Sequence, residues 1–188
     1  MGYADQAVAI RTGEEIDSAR VESFLKDSIP GLQGQMTVRQ FPSGHSNLTY
    51  LITFGDREMV LRRPPFGTKA KTAHDMGREY RILSALKDAY PYCPRSMAYS
   101  EDVSIIGCPF FVMERIRGIV VRREFPPGIE DSPEKIKKLC HKLIAVHAEL
   151  HAIDYRNVGL ENFGKPVGYV ERQVKGWSKR YRAARTPD

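Results

Sequence analysis

The stretch FPSGHSNLTYLI, residues 41–52, decides how this chain is read. Five small or polar residues, Ser43-Gly44-His45-Ser46-Asn47, separate two runs of strand character. The second run resumes at once with Leu48-Thr49-Tyr50-Leu51-Ile52. One reading is an ordinary hairpin loop with Gly44 at positive φ. The other is a loop whose backbone N–H groups lie against a phosphate. The loop feeds a strand, which argues against a P-loop or a dinucleotide-binding turn, since both feed a helix N-terminus. It suits a loop that folds over a nucleotide from one side of a hairpin.

Outward from this loop, MTVRQF (36–41) and LTYLITF (48–54) read as strands, Gly55-Asp56 as a turn and EMVLRR (58–63) as a third strand. Together they form an antiparallel meander. The segment TAHDMGREYRILSALKDA (72–89) has apolar residues at helical spacing. RSMAYSED and CPFFVMERI read as two further strands. The second has the continuous apolar core expected when both faces are covered. Before the meander, Ile16, Val21, Phe24, Leu25 and Ile29 predict an amphipathic helix from Glu14 to Ile29, ended by Pro30-Gly31. Residues 1–12 carry no periodicity and are expected to fray.

After Gly118 the character changes. EFPPGIED is a Pro/Gly connection, and Ser132-Pro133 is a helix start with Ser as N-cap. The helix 133–151 carries a long apolar stripe. YVERQVKGWSKRYRAAR is a final basic helix. The expected organisation is an N-terminal helix region (1–35), a sheet-plus-helix unit (36–117) and a linker leading into helices (118–188).

The chain has 188 residues, 41% hydrophobic and 28% charged, enough for a real core. No apolar run reaches the ~18 residues a membrane span needs, and the start lacks the pattern of a signal peptide. Three cysteines, Cys93, Cys108 and Cys140, with no close pair point to reduced thiols and a cytoplasmic setting. The net charge of +6 is spread along the chain. That favours a solvated surface over a nucleic-acid-binding stripe. His147 and His151 are four apart, but Glu149 between them is displaced by one from the glutamate of HExxH, so core or interface positions are expected and no metal site. Cys140 is expected in the core, and Trp177 in packing.

Three features complete the loop's chemistry. The third strand places a cation at Arg62, the following helix offers the carboxylate of Glu79, and the fifth strand ends in FFVMERIRG, an apolar strand whose edge is expected to hydrogen-bond a flat heterocycle. Loop, strand cation, helix carboxylate and apolar hinge strand in that order form the small lobe of a protein-kinase-like fold. A triphosphate needs backbone donors and a positioned cation, because phosphoryl transfer is mostly positioning plus electrostatic stabilisation. The cation must itself be held, hence Glu79. Adenine needs an apolar slot and exposed backbone groups, which Met113, Glu114 and Ile116 supply in this reading.

The sequence resembles the aminoglycoside phosphotransferase and choline kinase superfamily. More narrowly, it resembles the kinase-like branch found as separate bacterial proteins or fused ahead of acyl-CoA dehydrogenase domains. FPSGHSNLTYLI, MVLRRPP, REYRIL, FFVMERIRG, LHAID…VGLENFG and RQVKGWSKRY carry the resemblance, from about residue 14 to the end. It implies an α+β fold: a kinase-like N-lobe of five antiparallel strands plus one helix, then the first helices of an incomplete C-lobe. It implies ATP and Mg²⁺ as cofactors and a small-metabolite hydroxyl as acceptor. It also implies a missing C-lobe as partner, the chain self-associating through the face of helix 133–151 where that lobe is absent. The nucleotide-binding set is then Ser43, Gly44, His45, Ser46, Asn47, Arg62, Glu79, Met113, Glu114 and Ile116. Two departures matter. Arg62 stands where most kinases have lysine, and the two are not interchangeable at a phosphate. The catalytic-Asp loop and the downstream metal-binding Asp of the family have no counterpart here, so both are expected beyond Asp188. The alternative is a non-catalytic nucleotide-binding module.

Overall fold

The computed structural model describes residues 6–42, 47–67, 74–121, 125, 132–165 and 167–186. The chain divides into two compact units, Met1–Ala152 and Ile153–Asp188.

The first unit is built on one antiparallel sheet with strand order β1-β2-β3-β5-β4. Its strands are β1 (Met36–Gln40), β2 (Leu48–Phe54), β3 (Arg57–Arg63), β4 (Ser96–Ser100) and β5 (Phe110–Glu114). The register pairs Leu51 with Val60 across β2 and β3, and Val60 with Met113 across β3 and β5. Because side chains alternate along a strand, these pairings sort the sheet into two faces. Tyr50, Ile52, Met59, Leu61, Phe110 and Val112 point to one face and share a core with Val21 and Leu25 of α1 (Ser18–Ser28) and with Ile29, its C-cap. Leu51, Val60 and Phe111 are equally buried but belong to the other face.

Aspartates set where three helices begin. Asp17 accepts from the Arg20 N–H in α1, Asp75 from that of Arg78 in α2 (Met76–Leu86), and Asp102 from that of Ser104 in α3 (Val103–Ile106). A carboxylate there meets an N–H that has no partner inside the helix. The Asp17 cap starts α1 four residues later than its periodicity predicts. Glu14 stays outside the helix, where its carboxylate accepts from both Arg11 and Gln40.

The expectation that residues 1–12 fray is corrected over their described part. Val8 forms an antiparallel bridge with Gln40, and Ala7 is buried. Also unforeseen is α3, a single turn between β4 and β5 closed by Gly107 at φ 79°. Four residues are too few to show a helical period. Arg20 ties α1 to it by donating to the Ser104 carbonyl.

The second face is where α2 packs, against β4 and β5. The contact is close at Gly77, where an added Cβ would stand 2.6 Å from the Tyr99 hydroxyl. Tyr80 stacks on Tyr99 with centroids 5.2 Å apart. The remaining helix of this unit is α4 (Pro133–His151), with Ser132 as N-cap and Pro133 in its first turn. It meets the segment after α2 through Tyr90 Oη, which donates to the Val146 carbonyl, and through Lys142, which donates to Tyr92 Oη.

None of α4's described residues is buried, and Ile136, Leu139, Leu143 and Ile144 lie open. One expectation is corrected with it: Cys140 is exposed rather than in the core. The stripe that made it look interior is exposed. His147 and His151 do not lie in the core either. The second unit holds α5 (Tyr169–Ala184), where Val170, Val174, Trp177 and Tyr181 are exposed at helical spacing. Among the described residues, no helix is long and apolar enough to cross a membrane.

Candidate functional site

Three rows of side chains cross the second face of the sheet. The middle row, Leu51–Val60–Met113, is apolar. One row away, about 7 Å along the strands, lie Thr49, Arg62 and Phe111. On the other side lies Glu58, level with Thr53. The loop joining β1 to β2 leaves the sheet at the Arg62 end, since Phe41 pairs with Thr49. The chain after β5 leaves at the Glu58 end, since Glu114 pairs with Met59. An apolar floor thus runs between a cationic end, where the chain leaves β1 and rejoins β2, and an end where the chain departs from β5.

At the loop end, Arg62 Nη1 lies 3.2 Å from Glu79 Oε2, both side chains about one-third exposed. This is the pair the sequence predicts, brought together by β3 and the first turn of α2. Glu79's other oxygen accepts from Asn47 Nδ2 at 3.0 Å. Asn47 Oδ1 in turn lies 2.7 Å from His74 Nδ1. Arg62 Nε is buried and has no hydrogen-bond partner among the described residues. A buried guanidinium N–H left unpaired is costly.

Asn47 belongs to the nucleotide-binding set read from the sequence. Its side chain faces Glu79 and His74 and is buried. Sequence reasoning missed His74. It takes φ 64°, the left-handed region, alone among the described non-glycine residues. Nothing in AHDMGREY marks that conformation; histidine's modest tolerance of it is the sole hint. Ser43, Gly44, His45 and Ser46 lie outside the described residues.

At the other end the expectation for β5 is corrected. Its edge is not open, because β5 is an interior strand with β3 on one side and β4 on the other. The Glu114 N–H donates to the Arg95 carbonyl at 2.8 Å, and the Glu114 carboxylate accepts from the Arg95 N–H. Met113 therefore contributes its side chain to the floor rather than a backbone edge. Backbone without strand pairing begins at Arg115, and Ile116 there is 59% exposed. Sequence order alone makes β5 look terminal; the pairing of β4 outside it does not follow from order.

Glu58 receives Arg115 at 2.7 Å and Arg117 at 2.8 Å. Burial pushes its carboxyl up, but the Arg117 and Arg115 guanidiniums outweigh that and hold it below the ordinary carboxylate value. Arg115 also lies 5.7 Å from the Phe41 ring centroid. This second charged cluster was not foreseen either. Among the described residues no group of three or more His, Cys, Asp or Glu is placed to hold a metal. His147 and His151 stand with ring centroids 4.5 Å apart, without a third ligand.

Comparison with known proteins gives a consistent set of relatives. The model of a family described as "Phosphotransferase enzyme family" matches residues 37–188. Acyl-CoA dehydrogenase family member 10 of Mus musculus is 38% identical over 178 residues, 94% of this chain and 16% of that protein. Acyl-CoA dehydrogenase family member 11 of Rattus norvegicus is 32% identical over 188 residues, 98% of this chain and 24% of that protein. The chain thus spans a quarter or less of these relatives' length. A crystal structure from Ralstonia eutropha JMP134, described as that of "a putative aminoglycoside phosphotransferase", superposes with a TM-score of 0.75 at 30% identity. That match covers 93% of this chain and 50% of the other.

Proposed function

The chain belongs to the phosphotransferase enzyme family, and from that premise we propose that it is the nucleotide-binding half of an ATP-dependent small-molecule kinase. The observation that carries the reading is the Arg62–Glu79 pair at 3.2 Å, set at the loop end of the apolar floor. The residues suit the ligand. Leu51, Val60 and Met113 offer a flat apolar surface for adenine. Backbone beyond Glu114 offers hydrogen bonds to its edge. Arg62, with an unpaired buried N–H, stands where the phosphates would lie.

Bound Mg·ATP supplies the transferable γ-phosphoryl group, and the metal offsets its charge. In this reading Arg62 neutralises phosphate oxygens, and Glu79 fixes the direction of the guanidinium. A planar fork binds two oxygens at once where lysine acts as a point charge. The general base and the metal ligands are assigned to residues outside this 188-residue sequence, in the part of the family fold that the solved neighbour has in addition. The acceptor is a hydroxyl of a small metabolite. Arg62 in place of the usual lysine favours a second reading, a nucleotide-binding module that does not transfer phosphate.

The test is thermal unfolding with and without Mg·ATP, on the wild type and Arg62→Ala. At a hundredfold excess over Kd, binding stabilises the fold by about 2.7 kcal/mol. The wild type should show that rise in Tm and the variant should lose most of it. An unchanged wild-type Tm at millimolar Mg·ATP refutes the proposal. Phosphate release or transfer with a metabolite panel then separates kinase from non-catalytic module.

A further inference from the structure

The hydrogen bonds around Glu79 admit one chemical assignment, and it reaches a residue outside the expected nucleotide set. Ionised Glu79 is an acceptor only. Asn47 must therefore present its NH₂ group to Glu79 Oε1, 3.0 Å away. Turned the other way, its carbonyl oxygen would face the carboxylate. With the amide so fixed, Asn47 Oδ1 faces His74 Nδ1 at 2.7 Å, and an acceptor there requires Nδ1 to carry a proton. The chain of donors runs from His74 to Asn47 to Glu79, and Arg62 donates to Glu79's remaining oxygen.

The backbone supports this arrangement. His74 takes φ 64°, a conformation uncommon for a non-glycine residue. Asp75 directly after it caps α2. Its left-handed turn is thus where the chain enters the helix that carries Glu79. Asn47 is the last residue before β2, at the end of the loop that begins after Phe41. The link therefore joins the loop's end, the start of α2 and the β3 cation in one frame.

We infer that His74 is a positioning residue: its Nδ1–H orients the Asn47 amide, which holds Glu79 and the loop end in the register that Arg62 needs to meet a nucleotide's phosphates. The inference rests on the nucleotide reading of this site. His74 touches no ligand in this account and acts only through Asn47.

The test is calorimetric titration of Mg·ATP into the wild type, His74→Gly, His74→Asn, Asn47→Ala and the His74→Gly/Asn47→Ala double variant, with Tm measured for each. Glycine adopts φ 64° without strain, so His74→Gly removes the ring while sparing the turn. Its Tm should stay level or rise, while its Kd should weaken about fivefold, the worth of one hydrogen bond. Asparagine tolerates the left-handed region and keeps an N–H donor, so His74→Asn should bind within about twofold of wild type, well inside one hydrogen bond's worth. The double variant should be no weaker than Asn47→Ala alone, because the two residues act as a unit.

Wild-type affinity in His74→Gly overturns this inference and leaves the nucleotide reading intact. Equal losses in His74→Gly and His74→Asn overturn it as well, since the donor would then not be what acts. A loss of affinity matched by a fall in Tm reduces His74 to a structural role. Absence of Mg·ATP binding by the wild type ends the nucleotide reading, and this inference with it.

Discussion

Replacing Gly77 with alanine tests how tightly α2 is seated, and so how Glu79 reaches Arg62. In an open helix the change helps, by up to about 1 kcal/mol of helix propensity. Here the new Cβ would stand 2.6 Å from Tyr99 Oη and 3.1 Å from its Cζ. Tyr99 is not free to yield. It stacks on Tyr80 at an interplanar angle of 20° and donates to Glu101 at 2.8 Å. Either the ring gives up those contacts or α2 lifts from the sheet. Overpacking of this kind costs about 1–3 kcal/mol. Against the propensity gain, the expected net loss is about 0–2 kcal/mol. For a chain of this size that lowers Tm by up to about 8 °C.

Gly176 in α5 is the control, because nothing lies within 4 Å of the Cβ it would gain. Gly176→Ala should be neutral or stabilising by circular dichroism melts. Adding Tyr99→Phe to Gly77→Ala should restore part of the loss, since the nearest clashing atom is the hydroxyl. If Gly77→Ala stabilises as Gly176→Ala does, α2 does not sit against Tyr99, and the register that brings Glu79 to Arg62 is wrong.

Two further outcomes follow from burial. Burial pushes the Tyr50 hydroxyl up to about 12 from its ordinary 10.0, and Tyr50 donates to the Glu14 carbonyl at 2.7 Å. The folded state thus favours the neutral form, so its contribution is complete below pH 10 and lost as pH climbs toward 12, by up to about 2–3 kcal/mol. Tyr50→Phe should be about 1 kcal/mol less stable at neutral pH yet lack this loss, so the two stability curves should converge and then cross between about pH 10 and 12; curves that stay parallel contradict the assignment. Among the cysteines, exposed Cys140 should react with a thiol reagent in the folded protein, and Cys93 more slowly because burial raises its pKa. Cys108, 6% exposed, should react only on unfolding, and equal rates at all three would refute the core described above.

Local pattern made much of the sheet legible. Alternation and the Gly55-Asp56 turn place β2 at its observed limits and β3 within one residue. The Arg62–Glu79 pair was readable because a charged residue on a strand and one in the first turn of the next helix repeat a known small-lobe order. What stayed hidden depends on tertiary context. The bridge of Val8 to Gln40 is a long-range pairing with no local period. That β4 lies outside β5, and so closes the edge expected to meet adenine, is a matter of topology. His74 was invisible because its role rests on a backbone angle and on the rotamer of Asn47. On α4, the stripe that predicted a buried Cys140 is a real apolar face; periodicity identifies such a face but says nothing of what covers it.

The central claim is that Arg62, held by Glu79, meets the phosphates of a nucleotide lying on Leu51, Val60 and Met113. A crystal structure with Mg²⁺ and a non-hydrolysable ATP analogue tests it most directly. The account predicts a phosphate oxygen within about 3 Å of the Arg62 guanidinium, the Arg62–Glu79 contact intact and the adenine over the apolar row. An analogue bound elsewhere, or phosphates turned away from Arg62 toward the Glu58 end, would contradict it.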